Sequence, residues 1–163
     1  MTSVQDKRAA FRALHDEGCF ILPNPWDAGS ARMLQHLGFQ ALASTSAGFA
    51  WTIGQPDYRV SRAAAIAHLA LMCGAVDLPV NADFESGFSA TPEGVAESVT
   101  LCVATGVAGL SIEDSTGDKE RPLYPFEQAL ARIKAARAAI DATGEDVMLT
   151  ARTEGFIRGR PDM

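Results

Sequence analysis

Apolar positions recur along the chain in two rhythms, a helical spacing of three to four residues and short unbroken runs of strand length. Ala10, Phe11 and Leu14 form a first helical stripe that Gly18 closes. Residues 19–23 (Cys-Phe-Ile-Leu-Pro) then read as a strand. Asp27 stands where it can cap a helix through Ala31, Met33, Leu34 and Leu37, ended by Gly38. Residues 39–44 form a second apolar run, and 46–58 a connecting segment rich in turn formers. Ser61 heads a helix carrying Ile66, Leu69 and Met72, with Gly74 at its end. Residues 78–83 give a third strand. Thr91-Pro92-Glu93 is a strong helix start, a capping side chain followed by a first-turn proline and an acid. That helix ends near Gly106. Residues 108–112 give the fourth strand, 125–142 a helix stopped by Gly144, and 147–150 the fifth strand.

Five nearly all-apolar strands separated by helices predict parallel pairing with both faces covered, an α/β fold in one domain over residues 1–163. An open doubly wound sheet and a (β/α)₈ TIM barrel both accept the pattern. Length favours the open sheet, since a barrel typically needs about 250 residues. The first βα turn, Asn24-Pro25-Trp26-Asp27-Ala28-Gly29, holds no dinucleotide fingerprint, and no phosphate loop of the G-x-x-x-x-G-K type occurs.

Composition narrows the function classes. The formal net charge of −6 argues against nucleic acid, which needs a basic footprint. No apolar run approaches the roughly 20 residues of a membrane span. The amphipathic N-terminus does not read as a signal peptide, so a cytoplasmic location is expected. Cys19, Cys73 and Cys102 lie far apart, which fits buried apolar roles better than a disulfide or zinc framework. His15, His36 and His68 fall within predicted helices and read as surface or core residues.

Polar chemistry collects at strand ends. Ser44, Thr45 and Ser46 follow the second strand, Asp83 and Glu85 the third, Glu113 and Asp114 the fourth, and Arg152 with Glu154 the fifth. In a barrel these positions converge on one mouth. Carboxylates brought together repel one another unless a cation lies among them. Oxygen-only ligands suit a hard ion such as Mg²⁺, which can polarise a carbonyl. The Arg152 guanidinium would then fit a substrate carboxylate. Each residue also has a plainer role open to it: acids after strands cap helices, and Arg152 can pair with Glu154.

Residues 79–88 (Pro-Val-Asn-Ala-Asp-Phe-Glu-Ser-Gly-Phe) resemble the metal-binding signature of the phosphoenolpyruvate mutase/isocitrate lyase superfamily, Asp-x-Asp-x-Gly-aromatic, with Glu85 in place of the second Asp. Three further stretches match in order: Thr45-Ser46-Ala47-Gly48 with Gly54-Gln55-Pro56-Asp57, then Ser111-Ile112-Glu113-Asp114, then Thr150-Ala151-Arg152-Thr153-Glu154. The resemblance implies a (β/α)₈ barrel of which about the first five βα units are present. It implies Mg²⁺ held by Asp83, with Glu85 and Glu113 reaching it directly or through water. Ser46 and the Ala47 N–H would bind the carboxylate of a small 2-oxo acid, Arg152 would help bind substrate, and Asp57 matches an acid near the metal site. The shared intermediate it implies is a pyruvate enolate held on the metal.

The loop 115–124 lacks the catalytic cysteine of isocitrate-type lyases in this superfamily. Decarboxylation of an oxaloacetate-like 2-oxo acid fits the remaining residues best, with phosphonopyruvate-type P–C chemistry as the alternative within the superfamily. Two readings from other classes stand beside it. One is a catalytically incomplete domain that self-associates through open strand edges, and homo-oligomers are expected in either case. The other is a signalling receiver, which expects acids after the first strand and a lysine after the fifth, where Asn24 and Arg152 occur.

Overall fold

The computed structural model describes residues 2–160; of the domain expected over 1–163, Met1 and residues 161–163 lie outside the described residues. Helix α1 (Val4–Ala13) begins at Ser3, whose side chain accepts from the Asp6 amide. Helix α2 (Ala28–His36) starts as expected at Asp27, which forms a reciprocal capping box with Ser30. Strand β1 (Leu42–Ala43) leads into α3 (Ser46–Thr52) and α4 (Arg62–Ala75), the latter capped by Ser61. Strand β2 (Val80–Asp83), α5 (Pro92–Ala104), β3 (Gly109–Glu113), α6 (Phe126–Thr143) and β4 (Met148–Arg152) follow. Thr91 caps α5, and Gly144 ends α6 at φ +71°, a left-handed geometry that glycine adopts without steric cost.

The four strands lie side by side in chain order, β1-β2-β3-β4, and every pair is parallel. A doubly wound sheet reverses its strand order partway, whereas a barrel wall does not, so the sheet is part of a TIM-type barrel. The core lies between sheet and helices: Val80, Ala82, Leu110 and Ile112 pack against Leu69, Met72, Val99, Cys102 and Ile140. On the inner face, a Cβ at Gly109 would lie 2.6 Å from both the Asn81 amide oxygen and the Phe11 ring. Only glycine lets Phe11 of α1 close the N-terminal end of the sheet.

Four expectations need correction. Residues 19–23 do not join the ladder; the Ala43 amide donates to the Pro23 carbonyl, 3.0 Å, and proline residues at 23 and 25 remove amide donors from this stretch. The run 39–44 shortens to a two-residue strand, and the turn-rich segment 46–58 opens with helix α3. Thr45 makes that helix possible by accepting from the Gly48 amide at 3.1 Å. Cys19 is exposed, unlike Cys73 and Cys102, because its segment stays outside the sheet. Among the described residues no helix is long and apolar enough to cross a membrane.

Candidate active site

The C-terminal strand ends open into a cleft of about 370 Å³ lined by Ser46, Ala47, Asp57, Asp83, Glu113 and Arg152, among others. Asp83 is the last residue of β2. Its amide donates to Ser44 Oγ, and its Oδ2 accepts from both the amide and the hydroxyl of Ser46, each at 2.9 Å. The Ser46 donors expected for a substrate carboxylate therefore engage Asp83, while Ala47 lines the cleft beside them. Asp57 sits at the rim, accepts from the Tyr58 amide at 3.1 Å, and is raised by burial and by the Asp83 charge.

Glu113 ends β3 and is buried. One carboxyl oxygen accepts from the Tyr58 hydroxyl; the other lies 3.4 Å from Arg152 Nη1. Burial pushes Glu113 up to about 7, with Tyr58 and Arg152 pulling the other way. The same Arg152 nitrogen is 3.6 Å from Asp83 Oδ1, and the other terminal nitrogen donates to Glu154. Arg152 is thus the cation lodged between the carboxylates of two adjacent strands. Burial opposes its charge, but Glu113, Glu154 and Asp83 outweigh burial and raise its proton affinity.

Glu85 departs from the expected picture. Its backbone is left-handed, φ +46°, and it faces a small cavity of about 20 Å³ behind Asp83, shared with Phe49, Leu69 and His68. Burial, then Asp57, Asp83 and Glu113, push it up to about 8. Among the described residues no three acidic, histidine or cysteine side chains converge as a metal cluster. Asp83 and Glu113 come together through Arg152, while Glu85 stands behind them. The donor set nonetheless suits a hard cation: it is all oxygen, and a guanidinium already occupies the place where positive charge is needed.

Asp114 serves structure rather than the cleft. Its carboxylate accepts from the Glu154 amide, 2.8 Å, and the Thr153 hydroxyl, 2.7 Å, tying the β3 and β4 ends together. Sequence reasoning missed Tyr58, which stands at φ +60° in an irregular segment where no periodicity marks it.

The sequence model of the phosphoenolpyruvate phosphomutase family matches residues 11–163. A solved lyase/mutase candidate from Burkholderia cenocepacia J2315 is 47% identical with a TM-score of 0.94, covering 98% of this chain and 58% of that one. Oxaloacetate acetylhydrolase, solved with its product oxalate, is 27% identical with a TM-score of 0.87, covering 96% of this chain and 56% of that one. A phosphonopyruvate hydrolase solved with oxalate and Mg²⁺ shares the fold at 24% identity and TM-score 0.87, covering 99% and 56%. The chain spans about half the length of the curated relatives it matches, for example 54% of the 2-methylisocitrate lyase of Escherichia coli (strain K12), which is 30% identical over 161 residues and matched by 94% of this chain.

Proposed function

The chain belongs to the phosphoenolpyruvate phosphomutase family, and from that premise we propose that its strand-end cleft serves Mg²⁺-dependent cleavage of a small 2-oxo acid of the oxaloacetate type. The observation that carries this reading is the pair of carboxylates at adjacent strand ends, Asp83 and Glu113, sharing one cation beside the Ser46 donors. Mg²⁺ would be held by Asp83, with Glu113 and Glu85 reaching it directly or through water, and it would supply positive charge where a substrate carbonyl oxygen becomes an enolate. Arg152 would turn from Asp83 and Glu113 to grip a substrate carboxylate in bidentate fashion. Ser46 and the Ala47 N–H would orient that carboxylate once Asp83 turns to the cation.

In decarboxylation the C–C bond next to the leaving carboxylate breaks, CO₂ departs, and its electron pair forms pyruvate enolate. A water molecule then protonates the carbon. That step needs no cysteine acid, and the loop 115–124 has none. Asp57 at the rim would order that water. Oxaloacetate acetylhydrolase, the relative solved with its product oxalate, supports the same substrate class. Assembly into homo-oligomers belongs to the same proposal.

Titration of oxalate by calorimetry, with and without Mg²⁺, tests the reading. Binding that requires Mg²⁺ supports it, and turnover of oxaloacetate against phosphonopyruvate then separates C–C from P–C chemistry. A folded chain that ignores oxalate at millimolar Mg²⁺ would sink it.

A further inference from the structure

Arg132 of α6 is 1% exposed, and none of the ion pairs among the described residues includes it. A buried guanidinium without a counter-ion is costly unless its donors find acceptors. The two terminal nitrogens do, while Nε has no partner: Nη1 donates to the Ala90 carbonyl at 3.1 Å, and Nη2 to the carbonyls of Ser89, 2.6 Å, and Ser86. All three carbonyls belong to the short loop between Glu85 and the Thr91 cap of α5. That loop departs from ordinary backbone at three consecutive or near-consecutive positions, Glu85 at φ +46°, Gly87 at +84° and Phe88 at +54°. Two of these are not glycine, so the loop needs external support.

The guanidinium also lies 4.2 Å from the centre of the Tyr124 ring. Tyr124 closes the loop after β3, and its amide donates to the Asp114 carbonyl at 2.8 Å. Asp114 in turn holds the β4 end through Thr153 and Glu154. One side chain outside the cleft therefore braces the loop that presents Glu85 and touches the loop that leads back to the ends of β3 and β4.

We propose that Arg132 is a positioning residue: its guanidinium, clasping the Ser86, Ser89 and Ala90 carbonyls against Tyr124, fixes the Glu85 loop and so sets how the site holds its divalent cation. The inference rests on the functional reading above for what Glu85 contributes, but the clasp itself does not. A lysine at 132 brings one ammonium in place of a planar fork and cannot serve three separated carbonyls equally. A methionine keeps the bulk and leaves the carbonyls without donors.

The experiment compares wild type, Arg132→Lys, Arg132→Met, Glu85→Gln and the Arg132→Lys/Glu85→Gln double variant in the full chain. Hydrogen–deuterium exchange of the amides from 84 to 90 reads the clasp without any ligand. Mg²⁺-dependent oxalate affinity reads its consequence. The expected results are exchange at Gly87 faster by about tenfold in Arg132→Lys with β1 and β3 amides unchanged, oxalate affinity in Mg²⁺ reduced about tenfold, and no further loss when Arg132→Lys is added to Glu85→Gln. If Arg132→Met does not fold, the lysine variant carries both readouts. Unchanged exchange in the loop overturns the clasp. Faster exchange with unaltered oxalate affinity, or with losses that simply add in the double variant, overturns the positioning role. Wild type that binds no oxalate in Mg²⁺ while its loop exchange still depends on Arg132 refutes the functional reading and leaves the clasp standing.

Discussion

At the N-terminal end of the sheet, Lys7 and Arg8 bring two positive charges into buried surroundings and meet carbonyls there. Lys7 Nζ donates to Cys73 and Val76, at 3.0 and 2.6 Å, and Arg8 to Val103 and Val107, both at 3.0 Å, with Glu145 as its counter-ion. These acceptors lie at the ends of α4 and α5, where helices leave carbonyls unpaired and cations are favoured. At the C-terminal end the balance reverses: Asp57, Asp83, Glu85, Glu113 and Glu154 stand close together, and Arg152 is the cation that pairs with three of them, Asp83, Glu113 and Glu154. The comparison teaches that buried charge alone does not mark a site. At the closed end carbonyls and Glu145 meet the two cations and hold the fold; at the open end carboxylates outnumber the cation, and burial together with neighbouring acids raises Asp57, Glu85 and Glu113, the displacement that gathers at functional clefts.

Substitutions that reverse the two roles would break this contrast. The largest effect is expected for Asp83→Ala, which removes the acceptor of both Ser46 donors: Mg²⁺-dependent oxalate binding should fall at least about a hundredfold, with the melting temperature held near wild type. Retained binding would refute the assignment of the mouth. Arg8→Met should do the opposite, costing about 3 kcal/mol in urea unfolding by stranding buried acceptors, while oxalate affinity per folded molecule stays put. Tyr58→Phe sharpens the comparison, since it takes a single hydrogen bond from buried Glu113; a loss of about 1–2 kcal/mol of oxalate binding in Mg²⁺ is expected, read by calorimetry.

The smallest expected effect concerns pH. His68 is buried, stacks on Phe49 with ring centroids 3.8 Å apart, and its Nε2 has no partner. Burial lowers its proton affinity, Asp27 opposing. A folded value below the ordinary 6.5 means stability that is full above that value and is lost as pH falls through the folded one. His68→Leu should flatten this acid limb between neutral pH and pH 5 in thermal melts, and an unchanged limb would show that other groups carry it.

Much of this architecture is legible in the sequence because it is local. Asp27, Ser61 and Thr91 cap the helices they were expected to cap, and Gly144 ends α6 where a left-handed residue is needed. The strand-end residues Asp83, Glu113 and Arg152 meet because parallel strands in chain order place equivalent ends side by side. What escaped the sequence depends on tertiary partners. Residues 19–23 have strand composition but only one backbone bond to β1. Helix α3 contains Gly48 and Thr52, poor helix formers, and forms because Thr45 caps it. Tyr58 and Arg132 are distant in sequence from what they hold, so no spacing rule reaches them. Glu85 belongs with Asp83 to one strand-end pair by spacing, but its left-handed backbone turns it behind Asp83 rather than beside it.

That left-handed residue has a consequence for anyone redesigning the protein. An L-residue with a long side chain gives up roughly 1–2 kcal/mol in this region, whereas Asn, Asp and Gly occupy it more readily. A saturation library at position 85 screened only for folded protein should therefore enrich Asp, Asn and Gly over the native residue, and β-branched residues should vanish. A library screened for oxalate capture should rank the same position differently. The gap between the two rankings measures how much backbone comfort the chain forgoes to set a longer carboxyl at that point.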